Sequence, residues 1–444
     1  MVKVITYGTY DLLHYGHIAL LKRAKALGDY LIVGVTSDAF DRSRGKLNVS
    51  QSVVERVEAV KATGIADKII IEEYEGQKID DIQKYGADIF TVGSDWKGQF
   101  DYLNQYCKVV YLPRTEGISS TKLRTDENPI IHIGVIGTSD PSGRFLEESL
   151  YVSGIQAFGA FDCKQDRLNQ FCQQYQLRPY NNLDQLLHDS NAVFINTPIN
   201  QHYDLICRSL RADCHVLCNT PMFLSGQECQ RAFALAEEKN KVLFEGIKTL
   251  YFPAFEHLLL LVRSGLIGTV KNVDVSCSQI PDSMDTIIHN PFEGSIYDWG
   301  TTALLPIIKI LGDDFQSCKL YDFEKNQFNY LACGIVRYRS ALGAFKAGKG
   351  IKTEGSLIIT GEKGYIYVPA PWWRTDYFEV RYEDLRATKK YFYKYEGEGF
   401  RYEILEFIKM IHSGMLDNYK ITKKEILKIS QILEQFSQPS TEHL

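Results

Sequence analysis

The sequence predicts an α/β protein that opens on a doubly wound parallel sheet and then starts a second sheet of the same kind. Two observations carry this. Strand-like apolar runs at 2–6, 30–36, 68–71, 89–92 and 109–112 alternate with helical patterns, as in a sheet that takes ligands at the carboxyl ends of its strands. The polar stretch Arg124 to Pro129 then reads as a linker. Behind it come a strand, Ile130 to Ile136, a turn from Gly137 to Gly143, a helix, and a strand, Ile155 to Phe161, ending on Asp162. That is the outline of a dinucleotide-binding arrangement. Its detail is degenerate: Ser139 stands where a second glycine would admit the pyrophosphate, and the third glycine is displaced to Gly143.

Composition narrows the function classes. A chain of 444 residues has room for two or three domains. With 45% hydrophobic and 24% charged residues it can bury a sizeable core. A net charge of −5 gives no footprint for nucleic acid or an anionic membrane. The apolar run Leu258 to Val262 is far too short to span a bilayer, and no basic-then-apolar leader precedes the first strand. Ten scattered cysteines without a C-x-x-C pair point to reduced thiols, so a cytoplasmic protein is expected.

The segment Gly8-Thr9-Tyr10-Asp11-Leu12-Leu13-His14-Tyr15-Gly16-His17 joins the first strand to an amphipathic run, Ile18 to Leu27. Two histidines three apart at such a turn stand near free backbone N–H groups and the positive end of a helix dipole. That suits phosphate oxygens. A second segment, Arg114-Thr115-Glu116-Gly117-Ile118-Ser119-Ser120-Thr121, follows the strand Val109 to Leu112. Arg114 offers a planar fork of donors, and the hydroxyl and N–H groups after it can open a helix around an anion.

These two segments, with the turn Gly93-Ser94-Asp95-Trp96, resemble the HxGH nucleotidyltransferase superfamily and, within it, the glycerol-3-phosphate cytidylyltransferases, over about residues 1–125. The resemblance implies a domain at 1–126 that joins CTP to glycerol 3-phosphate or a related polyol phosphate and releases pyrophosphate, supplying a cell-surface polymer precursor. His14, His17 and Arg114 would be catalytic. Thr9, Tyr10, Asp11, Lys46, Thr115, Gly117, Ile118, Ser119, Ser120 and Thr121 would join them around CTP. Arg44 and Lys78 would receive the acceptor phosphate; Arg44 replaces a family lysine, which keeps charge and changes geometry. Asp11 has a second reading, as a helix-start cap. Mg²⁺ is expected on the triphosphate, with no metal site of the protein's own.

Further stretches, Val193 to His202, His215 to Pro221, Ser264 to Gly268, Asp298-Trp299-Gly300, Gly361 to Trp373 and Gly399 to Ile404, resemble the Gfo/Idh/MocA oxidoreductases over about 130–435. This implies a Rossmann domain at 130–248, with a dinucleotide along Gly137, Ser139, Asp162, Thr197 and Pro198. A C-terminal α/β domain at 249–444 would follow, built on an open, mostly antiparallel sheet, with homodimers or larger homo-oligomers forming through that sheet. Asp162 suits a ribose 2′-hydroxyl and so favours NAD(H), while Ser139 should crowd the pyrophosphate. The family's Glu-Lys-Pro reads Asn219-Thr220-Pro221 here, and Thr302 replaces a histidine, so both usual proton carriers are missing. Lys248 and Asp298 remain as catalytic candidates. Three readings stay open: a carbonyl reductase using another group, Lys248 first, which would make the acceptor for the first domain; a binder of nucleotide or sugar without redox chemistry; or a structural, dimerising domain.

Overall fold

The computed structural model describes residues 1–43, 49, 51–74, 76–113, 129–284, 293–326, 328–395, 397–436 and 442–443. Two compact units separate, one of 1–130 with 151–154 and one of 131–150 with 155–444.

In the first unit β1 (Lys3–Gly8), α1 (Tyr15–Lys25), β2 (Tyr30–Thr36), α2 (Asp38–Ser43), α3 (Val53–Ala62), β3 (Lys68–Glu72), α4 (Gln77–Tyr85), β4 (Ile89–Gly93) and β5 (Lys108–Leu112) follow in sequence. The strands pair in parallel in the order β3-β2-β1-β4-β5. Successive residues of a strand face opposite sides. Val4, Leu31, Val33 and Val35 therefore pack with Leu21 and Val60 on one face, and Ile5, Ile32 and Phe90 with Ile82 and Leu103 on the other. Covered on both faces, the strands read as unbroken apolar runs. The order reverses beside β1, so the loops after β1 and β4 open onto one crevice at the carboxyl edge.

The second unit begins with β6 (Ile131–Ile136), β7 (Ile155–Phe161), β8 (Arg178–Pro179), β9 (Ala192–Ile195), β10 (His215–Asn219) and β11 (Leu243–Gly246). They form a parallel sheet ordered β11-β10-β9-β6-β7-β8, whose reversal falls between β6 and β9. A second sheet follows from β12 (Val270–Gln279), β13 (Ser317–Lys325), β14 (Phe328–Arg337), β15 (Leu342–Lys349), β16 (Leu357–Gly361), β17 (Tyr365–Val368), β18 (Tyr377–Arg381), β19 (Lys389–Phe392) and β20 (Glu442–His443). Its order is β19-β18-β17-β16-β12-β15-β14-β13-β20. All pairings are antiparallel except β12 with β15 and β13 with β20. This is the open, mostly antiparallel sheet expected from the sequence.

The helix Ser295–Leu311 covers one face of that sheet with buried Ala303, Leu304 and Ile307. It sits close because residue 343 is glycine: a Cβ there would lie 2.4 Å from Ile307 Cγ2. The opposite face leaves Phe323, Ile335 and Leu342 exposed. Among the described residues no helix is long and apolar enough to cross a membrane.

Candidate functional sites

At the carboxyl edge of the first sheet the chain leaves Gly8 and turns through Tyr10 and Leu12, with φ of 54° and 47°. His14 is the N-cap of α1, its Nδ1 accepting from the Gly16 N–H at 3.0 Å. Acceptance at Nδ1 puts the proton of a neutral ring on Nε2, the donor a phosphate oxygen needs. The His14 ring stacks on His17 with centroids 3.9 Å apart, and Tyr10 meets His17 edge-on at 5.5 Å. Tyr10 is buried, and that burial raises its hydroxyl pKa. The turn thus brings Thr9, Tyr10, Asp11, His14 and His17 together.

The cap reading of Asp11 is corrected here. The cap is His14, and Asp11 instead accepts from the Gln51 N–H at 3.0 Å, while Gln51 Oε1 accepts from the Leu12 N–H at 2.9 Å. These bonds clamp the turn after β1 to the segment before α3. Arg56, which the sequence did not single out, completes the clamp. Fully buried, it donates to the carbonyls of Thr9 (2.6 Å), Thr36 (2.9 Å) and Gln51 (3.0 Å), and pairs with Asp38 (2.5 Å) and Asp41 (3.4 Å). Thr9 adds a hydroxyl bond to Asp41 at 2.9 Å.

Lys78 lies in the first turn of α4, buried and ion-paired with Glu72 at the end of β3. Its ammonium stands 4.9 Å from the Tyr7 ring centroid and 5.5 Å from that of Phe100. Thr36 donates to the second Glu72 oxygen at 3.1 Å. Glu72 stands only six residues before Lys78, and it is the turn from β3 into α4 that folds the two side chains together. Arg44, Lys46, Arg114, Thr115, Gly117, Ile118, Ser119, Ser120 and Thr121 lie outside the described residues.

The second unit holds a cleft of about 690 Å³ at the carboxyl edge of its parallel sheet. Gly137, Ser139, Asp162, Thr197, Pro198 and Asp298 all line it. Gly137 has φ of 90°, and a Cβ there would lie 2.1 Å from the Asn196 carbonyl oxygen, so the turn requires glycine. The Ser139 hydroxyl is held by Asn196 Nδ2 at 2.8 Å. Gly143 supplies close packing, since a Cβ there would meet the Tyr175 hydroxyl at 2.3 Å.

Asp162 is heavily engaged. Its Oδ2 accepts from the Thr138 N–H (2.9 Å), the Thr138 hydroxyl (2.7 Å) and Arg167 (2.5 and 3.1 Å), and Oδ1 accepts from the Lys164 N–H (2.9 Å). Burial alone would raise its pKa, but these donors outweigh it and hold the carboxyl at about 2. The expectation that Asp162 simply awaits a ribose hydroxyl is therefore incomplete: a guanidinium already occupies it, and that Arg167 side chain is 44% exposed.

Lys248 is not among the residues lining the cleft. It follows β11 with its ammonium 4.1 Å from the Phe400 ring centroid, beside the buried Glu403. Burial pushes the lysine down and Glu403 up. Among the described residues three cations do line the cleft, Lys164, Arg167 and Lys349, and of these Lys349, at the end of β15, lies 3.3 Å from Asp298. Sequence reasoning missed it because it comes from the second sheet, far along the chain. Thr220 also lines the cleft and donates to the buried Glu245 at 2.9 Å, whose carboxyl burial pushes up to about 7.

Comparison with known proteins finds a family for each part of the chain. Residues 5–126 match the cytidylyltransferase-like family, and residues 131–247 match the Gfo/Idh/MocA oxidoreductase family with its NAD-binding Rossmann fold. Over 126 residues the chain is 51% identical to glycerol-3-phosphate cytidylyltransferase of Bacillus spizizenii, covering 28% of this chain and 97% of that protein. Over 325 residues it is 22% identical to scyllo-inositol 2-dehydrogenase (NADP(+)) of Bacillus subtilis, covering 69% of this chain and 96% of that one. The crystal structure of a 3-ketoreductase from Actinomadura kijaniata, in complex with NADP and TDP-benzene, shares the fold of the second unit: TM-score 0.64 at 19% identity, over 71% of this chain and 99% of that one. The chain is thus a nucleotidyltransferase whose first 126 residues belong to the glycerol-3-phosphate cytidylyltransferase family, followed by a stretch at 131–247 that matches the Gfo/Idh/MocA oxidoreductase family.

Proposed function

We propose that the chain makes a CDP-polyol in the cytoplasm, joining CTP and glycerol 3-phosphate at the first site to give CDP-glycerol and pyrophosphate. The 51% identity over the whole length of that relative carries this reading, and the stacked His14–His17 pair at the sheet's reversal supports it. The acceptor phosphate oxygen is already anionic, so the site needs only to align two polyanions and stabilise charge on the α-phosphoryl and leaving groups. His14 and His17 donate to those oxygens. Lys78 and Arg44 meet the acceptor phosphate, and the 114–121 segment closes over the base and triphosphate of CTP; the roles of Arg44 and that segment rest on the sequence. Mg²⁺ enters on the triphosphate as part of the substrate.

The second unit is proposed as an NAD(P)H-dependent reductase that forms the polyol phosphate from a keto or aldehyde phosphate. The Gly137 turn, the N-terminus of the helix Asp140–Ser149 and the cleft fit such a cofactor. When bound, the cofactor supplies a hydride. The exposed face bearing Phe323, Ile335 and Leu342 pairs two copies as a homodimer.

The test is pyrophosphate release from CTP by the full chain. It should require a polyol phosphate, and His17→Ala should lower kcat by about 10² or more. Equal use of ATP, or full activity in His17→Ala, refutes the first assignment.

A further inference from the structure

The second unit lacks both proton carriers of its family, at Thr220 and Thr302, yet a cation stands in its cleft. Lys349 has a side chain only 10% exposed, and its Nζ lies 3.3 Å from Asp298 and 3.3 Å from Gln279 Oε1. Asp298, on the helix Ser295–Leu311, is 31% exposed, so the pair runs from a buried ammonium to a carboxylate that solvent reaches. Both line the cleft that also holds Thr197, Pro198 and Thr220. Stability alone is a poor reason for such a pair, since apolar replacements of buried ion pairs are often neutral or stabilising.

Resting on the reductase reading above, we infer that Lys349 is the catalytic acid of the second unit and Asp298 its positioning residue. The carbonyl carbon gains the hydride as a C–H bond, the C=O π pair moves to oxygen, and that oxygen takes a proton from Lys349 Nζ. The neutral amine then recovers a proton from solvent by way of Asp298. One carbonyl, one reduced nicotinamide and one proton are consumed; one alcohol and one oxidised nicotinamide are formed. A cation supplied by the second sheet thereby replaces the lysine that Thr220 removed from the first.

The experiment uses the full chain, with dihydroxyacetone phosphate and ribulose 5-phosphate as probes. Cofactor binding is followed by nicotinamide fluorescence, and glycerol 3-phosphate binding to the protein loaded with oxidised cofactor by calorimetry, which needs no turnover. Lys349→Met should bind cofactor like the parent and lose about 10² or more in kcat. Its affinity for glycerol 3-phosphate should change by less than about tenfold, because the loss falls on a step rather than on binding. Asp298→Asn should lower kcat about tenfold with KM little changed, and Asp298→Glu should recover part of that loss, as expected of a positioning carboxylate.

Turnover by Lys349→Met at the parent's rate overturns the assignment while leaving the reductase reading intact. So does a loss confined to glycerol 3-phosphate affinity, which would make Lys349 a phosphate anchor. A parent that binds neither NADH nor NADPH removes the reductase reading, and the inference with it.

Discussion

Replacing Arg56 by alanine tests whether the buried clamp holds the turn after β1 of the first unit. The guanidinium serves three carbonyls and two carboxylates. The Asp38 contact contributes little, because that side chain is 38% exposed and water replaces the lost donor. Asp41 is different: its side chain is 2% exposed, so water does not replace the guanidinium that the substitution takes from it. Breaking a buried pair in this way costs about 3–5 kcal/mol. For a domain of this size, each kcal/mol moves the melting temperature by roughly 3–5 °C, so a fall of about 9–25 °C is expected.

Activity should fall as well. Arg56 anchors the Thr9 carbonyl, five residues before His14, and misplacing reacting groups by about 1 Å costs roughly 10² in rate. Arg56→Lys should recover only part of either loss, having three donors and no planar fork. The assay is calorimetry of the full chain, where the transition that rises with added CTP belongs to the first unit, paired with pyrophosphate release. An Arg56→Ala protein that melts within about 2 °C of the parent and keeps its kcat would refute the clamp.

In the second unit, Arg167→Ala should weaken NADPH binding relative to NADH by about tenfold or more, since a charge-assisted bond to the 2′-phosphate is lost and Asp162 is freed for a ribose hydroxyl; an unchanged ratio by fluorescence titration would refute this. Asp162, held at about 2 against 3.8, binds fewer protons folded than unfolded. It contributes about 2 kcal/mol that is present above pH 4 and lost as the pH falls toward 2, and Asp162→Asn should flatten acid unfolding over that window. Arg44→Ala should raise the KM for glycerol 3-phosphate with little change in that for CTP; an equal rise in both would put Arg44 on the nucleotide. Ile335→Asp should turn a dimer into a monomer by light scattering, and an unchanged mass would place the interface elsewhere.

The sequence by itself determined the two parallel sheets and the turn that carries His14 and His17. A strand buried on both faces needs an unbroken apolar run such as Leu31 to Val33, and the glycine and histidines after the first strand are local signals that survive in one dimension. Gly137 was legible for the same reason: its backbone conformation is its own. What the tertiary structure decided were the partners. Asp11 clamps Gln51 rather than capping a helix, and Lys78 is answered by Glu72. Asp162 is claimed by Arg167, and Lys248 does not line the cleft while Lys349 enters it from another sheet. Each of these depends on an electrostatic or hydrogen-bonding partner brought close by packing. Such interactions act over a few ångströms in space, whatever the separation along the chain, so no spacing in the sequence records them.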